Sequence, residues 1–272
     1  MTTTTHTDVF DRVVCGVDGS EEGLTAARAA ALVADPEGEL TLVTVFDRSV
    51  AVHAGWGMSR VLEELGKEAT RALEAGEKVV RPIHDAGATL VEGDSVAALL
   101  GDLQERQATL AVVGSHGFSR PAGVALRSVA TYLLHEARCS VLIARGDVGV
   151  GRWPRRIVVG VDGSPDSAVA YEAARALAER YDADLRVVAG TEDARVDLDA
   201  VRRVAPSCEL HDARALDVLD VLSETVDLVV VGSRGLRGFR ALGSLGERLA
   251  HDARCSVLVV RPPADHDEGR SS

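Results

Sequence analysis

Short apolar runs recur along the chain, and the longer stretches between them return apolar residues at helical spacing. "RVVCGV" from Arg12, "LTLVTVF" from Leu40, "ATLVEG" from Ala88, "LAVVG" from Leu110 and "SVLIA" from Ser140 are bounded by Gly, Asp and Ser, and read as strands buried on both faces. Between the second and third runs, "SRVLEELGKEATRALEAGEKVV" sets Leu62, Leu65, Ala69 and Leu73 on one helical face. Ser20 is placed to cap a helix that opens with Glu21 and Glu22, whose charges suit the positive helix end. Strands alternating with helices predict an α/β fold with right-handed parallel crossovers.

The pattern then repeats. "RIVVGVDGSPDSAVAYEAA" from Arg156 matches "RVVCGVDGSEEGLTAARAA" from Arg12, and "ARCSVLVVR" from Ala253 matches "ARCSVLIAR" from Ala137. Asp162 stands 144 positions after Asp18, but Cys255 only 116 after Cys139, so the second copy is 28 residues shorter. Most of the loss falls where the long second helix should be, leaving a short one near Leu198 to Val204. This shortening is expected to open that side of the second copy. The repeat divides the chain into a first domain over 9–146, a linker over 147–155 and a second domain over 156–262, with disordered tails at 1–8 and 263–272.

Composition narrows the class. The chain has 272 residues, of which 46% are apolar and only 3% aromatic, a mixture suited to sheets covered by helices. A net charge of -12 argues against nucleic acid, which needs a basic face. No apolar run reaches the roughly 20 residues of a membrane helix, and "MTTTTHTD" carries no signal-peptide features, so a cytoplasmic location is expected. Cys15, Cys139, Cys208 and Cys255 lack metal-ligand spacing and read as reduced thiols.

Against this acidic background two loops stand out. "VVGSHGFSRPAGVALRS" from Val112 and "VVGSRGLRGFRALGS" from Val230 each follow the fourth strand of a copy. The first has no Asp or Glu from Gly114 until Glu136, and the second none from Gly232 until Glu247, while His116, Arg120, Arg127, Arg234, Arg237 and Arg240 add positive charge. Glycines that admit backbone N–H groups, followed by a helix start, suit an anion such as phosphate. The loops after the first strands, Asp18-Gly19-Ser20 and Asp162-Gly163-Ser164, are acidic and suit a group with donors, although Asp at a turn also has a purely structural use. In a doubly wound sheet both loops border the crevice outside the strands' carboxyl ends.

"GVDGS", "VVGSRG", the glycine loop ending in Gly-Ser and "ARCSVLVVR" together resemble the universal stress protein family in its tandem two-domain form, over about residues 9 to 261. The resemblance implies an adenine nucleotide alpha hydrolase-like fold, with two doubly wound domains, each a five-stranded parallel sheet flanked by helices, paired through their fifth strands as an intramolecular pseudo-dimer, with a further homodimer left open. It also implies ATP or ADP as ligand, with or without magnesium, bound as a regulatory effector, with slow hydrolysis left open.

The family pattern G-x2-G-x9-G-[ST] carries over with departures. In the first copy Gly114, Ser115, His116 and Gly117 stand in register, but Arg127 replaces the third glycine before Ser128 and Val129. In the second, Gly232, Arg234, Gly235, Gly243 and Ser244 are present, yet only seven residues separate Gly235 from Gly243. Asp18 and Val45 mark the adenosine end of the first copy, and Asp162 with Gly190 its counterpart. The resemblance favours the first copy for ATP. A tandem scaffold that no longer binds nucleotide, acting through proteins, is the alternative, and a weak ATPase the third; no catalytic or metal set is assigned.

Overall fold

The computed structural model describes residues 10–46, 58–115, 129–149, 151, 153–193, 196–233 and 245–262. The first half runs β1 (Arg12–Gly16), α1 (Glu21–Val33), β2 (Glu39–Phe46), α2 (Met58–Val80), β3 (Gly87–Glu92), α3 (Ser95–Glu105), β4 (Leu110–Gly114), α4 (Val129–Glu136) and β5 (Ser140–Ala144). The second repeats the scheme with β6 (Arg156–Gly160), α5 (Pro165–Tyr181), β7 (Asp184–Gly190), α6 (Leu198–Val204), β8 (Glu209–His211), α7 (Ala215–Ser223), β9 (Leu228–Gly232), α8 (Leu245–Asp252) and β10 (Ser256–Val260).

Among the described residues, ten strands share one sheet in the order β3-β2-β1-β4-β5-β10-β9-β6-β7-β8. Neighbours are parallel except at the centre, where β5 and β10 run antiparallel with Leu142 opposite Leu258. Helices cover both faces, which explains why the strands read as unbroken apolar runs. Alternate residues serve opposite cores: Val13, Cys15 and Val17 join Leu142, Val159 and Leu258 beneath α1 and α5, while Val14, Val141 and Ile143 meet Leu133, Leu219 and Leu249 on the other face. Ser20 and Ser164 cap α1 and α5 by accepting from the Gly23 and Ser167 amides at 3.0 and 3.2 Å. Among the described residues no helix is long and apolar enough to cross a membrane.

Contacts that cross between the halves satisfy groups left over by secondary structure. The Ser256 hydroxyl accepts from Arg145 N at 3.0 Å and donates to Arg145 O at 3.1 Å; reciprocally, Ser140 Oγ accepts from Arg261 N at 3.1 Å. Each of these arginines then reaches the last helix of the other half. Arg261 Nη2 donates to Leu134 O at 2.6 Å, and Arg145 Nη2 to Ala250 O, placing cations at the negative ends of α4 and α8. Nearby, His135 Nε2 on α4 lies 3.2 Å from Glu247 Oε1 on α8. On the opposite face α1 ends without a basic residue of its own, and α5 supplies one: Arg180 donates to Ala34 O at 2.9 Å and the Tyr181 hydroxyl to Leu32 O.

The segment read as a linker is tied into the fold. Val148 and Trp153 are buried in the core under α1 and α5, and Trp153 Nε1 donates to Asp227 O at 3.2 Å. The tails at 1–8 and 263–272 lie outside the described residues.

Candidate functional site

In a doubly wound sheet the ligand crevice forms where the strand order reverses, outside the carboxyl ends of the strands. Here that point falls between β1 and β4 in the first half and between β6 and β9 in the second. The structure brings Asp18, Gly114 and Ser115 to the first switch point, with Val45 on the neighbouring strand, and Asp162 and Gly232 to the second, with Gly190 on its neighbouring strand. His116, Gly117, Arg127, Ser128, Arg234, Gly235, Gly243 and Ser244 lie outside the described residues.

Asp18 is exposed at the tip of its strand. Its Oδ1 accepts from the Ser20 amide at 3.0 Å and from the Ser20 hydroxyl at 2.5 Å, so the carboxylate also builds the turn into α1. Gly19 takes φ 81° there and Gly163 takes 82° in the second copy, a region in which side chains are strained. Asp162 Oδ1 accepts from Ser164 N at 2.9 Å. Val45 and Gly190 are equivalent by register, lying two residues beyond Val43 and Val188, which pair with Gly16 and Gly160.

Gly114 and Gly232 have a packing reason that the sequence does not reveal. A Cβ on Gly114 would stand 2.8 Å from the backbone C and O of Glu22, and one on Gly232 2.7 Å from those of Asp166. The first glycine of each motif therefore lets the strand end slide beneath the first turn of α1 or α5. Ser233, next in line, donates its hydroxyl to Asp166 Oδ2 at 2.9 Å.

The helix starts differ in charge. Val129 opens α4, whose first turn contains no acidic residue. The first turn of α8 carries Glu247, which would oppose an anion at that helix end. The four thiols offer no nucleophile, since burial pushes Cys15 strongly upward, Cys139 to about 11 and Cys255 to about 12, and the half-buried Cys208 to about 11.

The shortened second half does not open as the sequence suggests. The first turn of α6 lies across the β6–α5 loop, where a Cβ on Gly163 would be 2.7 Å from Ala200 Cβ and Asp197 O. A Cβ on Gly190 would meet the backbone of 213–215 at 2.3 to 2.7 Å, so the valine found in the first half has no room there. The physical reason is the short connection after β7, which pulls α6 over the strand ends.

A cleft of about 840 Å³ opens at the other end of the first half, lined by Pro36, Arg81, His84 and Arg180 among others. It lies at the amino ends of β2 and β3, away from either switch point, and two of its polar side chains serve the fold: Arg180 holds α1, and His84 Nε2 lies 2.9 Å from Asp35 O.

With this geometry in place, three comparisons bear on the chain. The sequence model described as the universal stress protein family matches residues 10–145, 154–219 and 208–261. A universal stress protein of Mycolicibacterium smegmatis is 32% identical over 92% of this chain and 97% of its own length, and one of Mycobacterium tuberculosis is 28% identical over 93% and 96%. A solved universal stress protein from Archaeoglobus fulgidus is similar in fold with a TM-score of 0.72 at 19% identity, covering 93% of this chain and 97% of its own.

Proposed function

The chain belongs to the universal stress protein family, and from that premise we propose that it binds an adenine nucleotide, ATP or ADP, as a regulatory ligand in the crevice of its first half. The observation that carries this reading is the polarity of that crevice. Asp18 stands exposed at one side as an acceptor for the donors of a base or ribose. α4 opens at Val129 with no acid in its first turn, so its positive end suits phosphate.

The residues present suit the ligand by chemistry. Asp18 and Val45 would hold the nucleoside, and the loop from Gly114 through Ser128, with its histidine and arginines, would hold the phosphates. In this reading the nucleotide acts by occupancy, as a regulatory ligand.

Calorimetric titration of the full chain with ATP and magnesium tests the proposal. Asp18→Asn keeps an oxygen acceptor for Ser20 while removing the charge, and is expected to weaken binding about tenfold, the scale of one charge-assisted hydrogen bond. Asp162→Asn is expected to leave affinity unchanged. Equal losses from both variants would contradict the assignment to the first half.

A second reading, a tandem scaffold without ligand, is favoured by one observation: Gly114 and Gly232 are required by the approach of α1 and α5 whether or not phosphate binds. Failure of millimolar ATP to bind the native chain would leave that reading standing.

A further inference from the structure

We propose that the crevice of the second half is sealed by its own chain, so that each molecule takes one nucleotide where its repeat would suggest two. The claim about nucleotide rests on the function proposed above; the claim about closure rests on geometry alone.

Described residues on three sides make the seal. Asp197, which caps α6, donates its amide to Asp162 O at 3.1 Å, and Ala200 and Val201 lie against Gly163. At the end of β7, Thr191 N donates to His211 O at 2.9 Å and Glu192 N to Ala213 O at 3.3 Å. The Asp193 carboxylate then accepts from Ala215 N at 2.7 Å. That bond matters because Arg214, at the N-cap position of α7, makes no side-chain cap bond; in the first half, Asp94 caps α3 from the usual position. On the third side Ser233 is engaged by Asp166. Among the described residues, the Asp193 carboxylate, the Ser233 hydroxyl and the amides of 191, 192 and 197 are thus spent on neighbouring chain.

The sequence change behind the seal is the shortened repeat. α6 begins eight residues after Gly190, whereas α2 begins thirteen after Val45. Loss of the side chain at 190 lets the 213–215 backbone settle onto the strand end. Glu247 in the first turn of α8 adds a charge of the wrong sign for phosphate. Each change disfavours a nucleotide, and they fall on different walls of the same crevice.

Hydrogen exchange on the full chain reads the closure without any ligand. The amides of Asp197 and Ala215 are expected to exchange well below unstructured rates, unchanged by millimolar ATP and magnesium. Asp193→Ala should speed exchange at Ala215 about fivefold, the usual scale of a lost cap, and Asp193→Asn, which keeps an oxygen acceptor, should restore most of the protection. Photolabelling with 8-azido-ATP should mark peptides of the first half only. Unprotected amides at Asp197 and Ala215, or label within residues 156–262, would overturn the proposal. Protected amides with no label anywhere would uphold the seal and refute the nucleotide function itself.

Discussion

Replacing Ser256 with alanine tests how firmly the two halves are joined. Ser256 is 0% exposed, and its hydroxyl both accepts from Arg145 N and donates to Arg145 O, at 3.0 and 3.1 Å. Alanine removes both bonds and leaves a backbone amide and carbonyl unpaired at the centre of the sheet, where desolvation of an unsatisfied group costs about 1–3 kcal/mol. The carbonyl has a second lone pair and loses less, so the expected destabilisation is about 2 kcal/mol. For a chain of this size that corresponds to a melting temperature lower by roughly 4–8 °C. Urea unfolding followed by far-UV circular dichroism gives the free energy, and the buried Trp153, held to Asp227 at the junction, gives a second probe by fluorescence. Coincident transitions in the native chain would show that the halves unfold together. A double-mutant cycle is unsuited to a backbone partner, so Ser140→Ala serves as the comparison, removing the reciprocal bond to Arg261 N. Both variants within 0.5 kcal/mol of the native chain would refute the reasoning, because the hydroxyls would then be idle.

Other perturbations probe other parts of the account. Tyr181→Phe removes the hydroxyl that holds Leu32 O and should cost about 1 kcal/mol, read as a shift in urea midpoint; no shift would mean that water replaces the hydroxyl freely. Gly114→Ala pushes a methyl to 2.8 Å from the Glu22 backbone and should cost about 1–3 kcal/mol by overpacking, measured in the absence of nucleotide so that ligand loss cannot explain it. Alkaline pH should destabilise the chain through its thiols. Cys139 and Cys255 are pushed up by burial to about 11 and about 12, against about 8.5 when unfolded. The native state holds protons that the unfolded state releases, so stability is level below about pH 8.5 and falls above it by up to about 1.4 kcal/mol per pH unit for each thiol. Urea midpoints at pH 7.5 and 9.5 would show a smaller fall in a Cys139→Ala, Cys255→Ala variant, and an equal fall would contradict the thiol origin.

Strands and helices were legible because their causes are local. The run from Leu198 to Val204 reads as a short helix and is one, and Ser20 and Ser164 cap as their positions imply. The α/β class follows from the alternation, and the register of the repeat correctly set Val45 against Gly190. What stayed hidden depends on chain brought from far away. Gly114 reads as a phosphate residue because its motif is glycine-rich, but the backbone that forbids a side chain there belongs to Glu22, ninety-two positions earlier. The second crevice was expected to open where residues are missing; instead the shorter connection drew α6 across it. Arg180 and Tyr181, on the last turn of α5, show no sign in the sequence that they cap a helix in the other half. The serines after Cys139 and Cys255 likewise gain their partners only when β5 meets β10.

Native mass spectrometry of the freshly purified full chain in ammonium acetate, with and without added ATP and magnesium, bears most directly on the central claim. The expected result is a species one adenine nucleotide heavier than the bare chain, saturating at one per molecule and reduced to about half occupancy in Asp18→Asn at a concentration that just saturates the native protein, as a tenfold loss of affinity requires. A chain that stays bare at millimolar ATP, or one that takes up two nucleotides with equal ease, would contradict it.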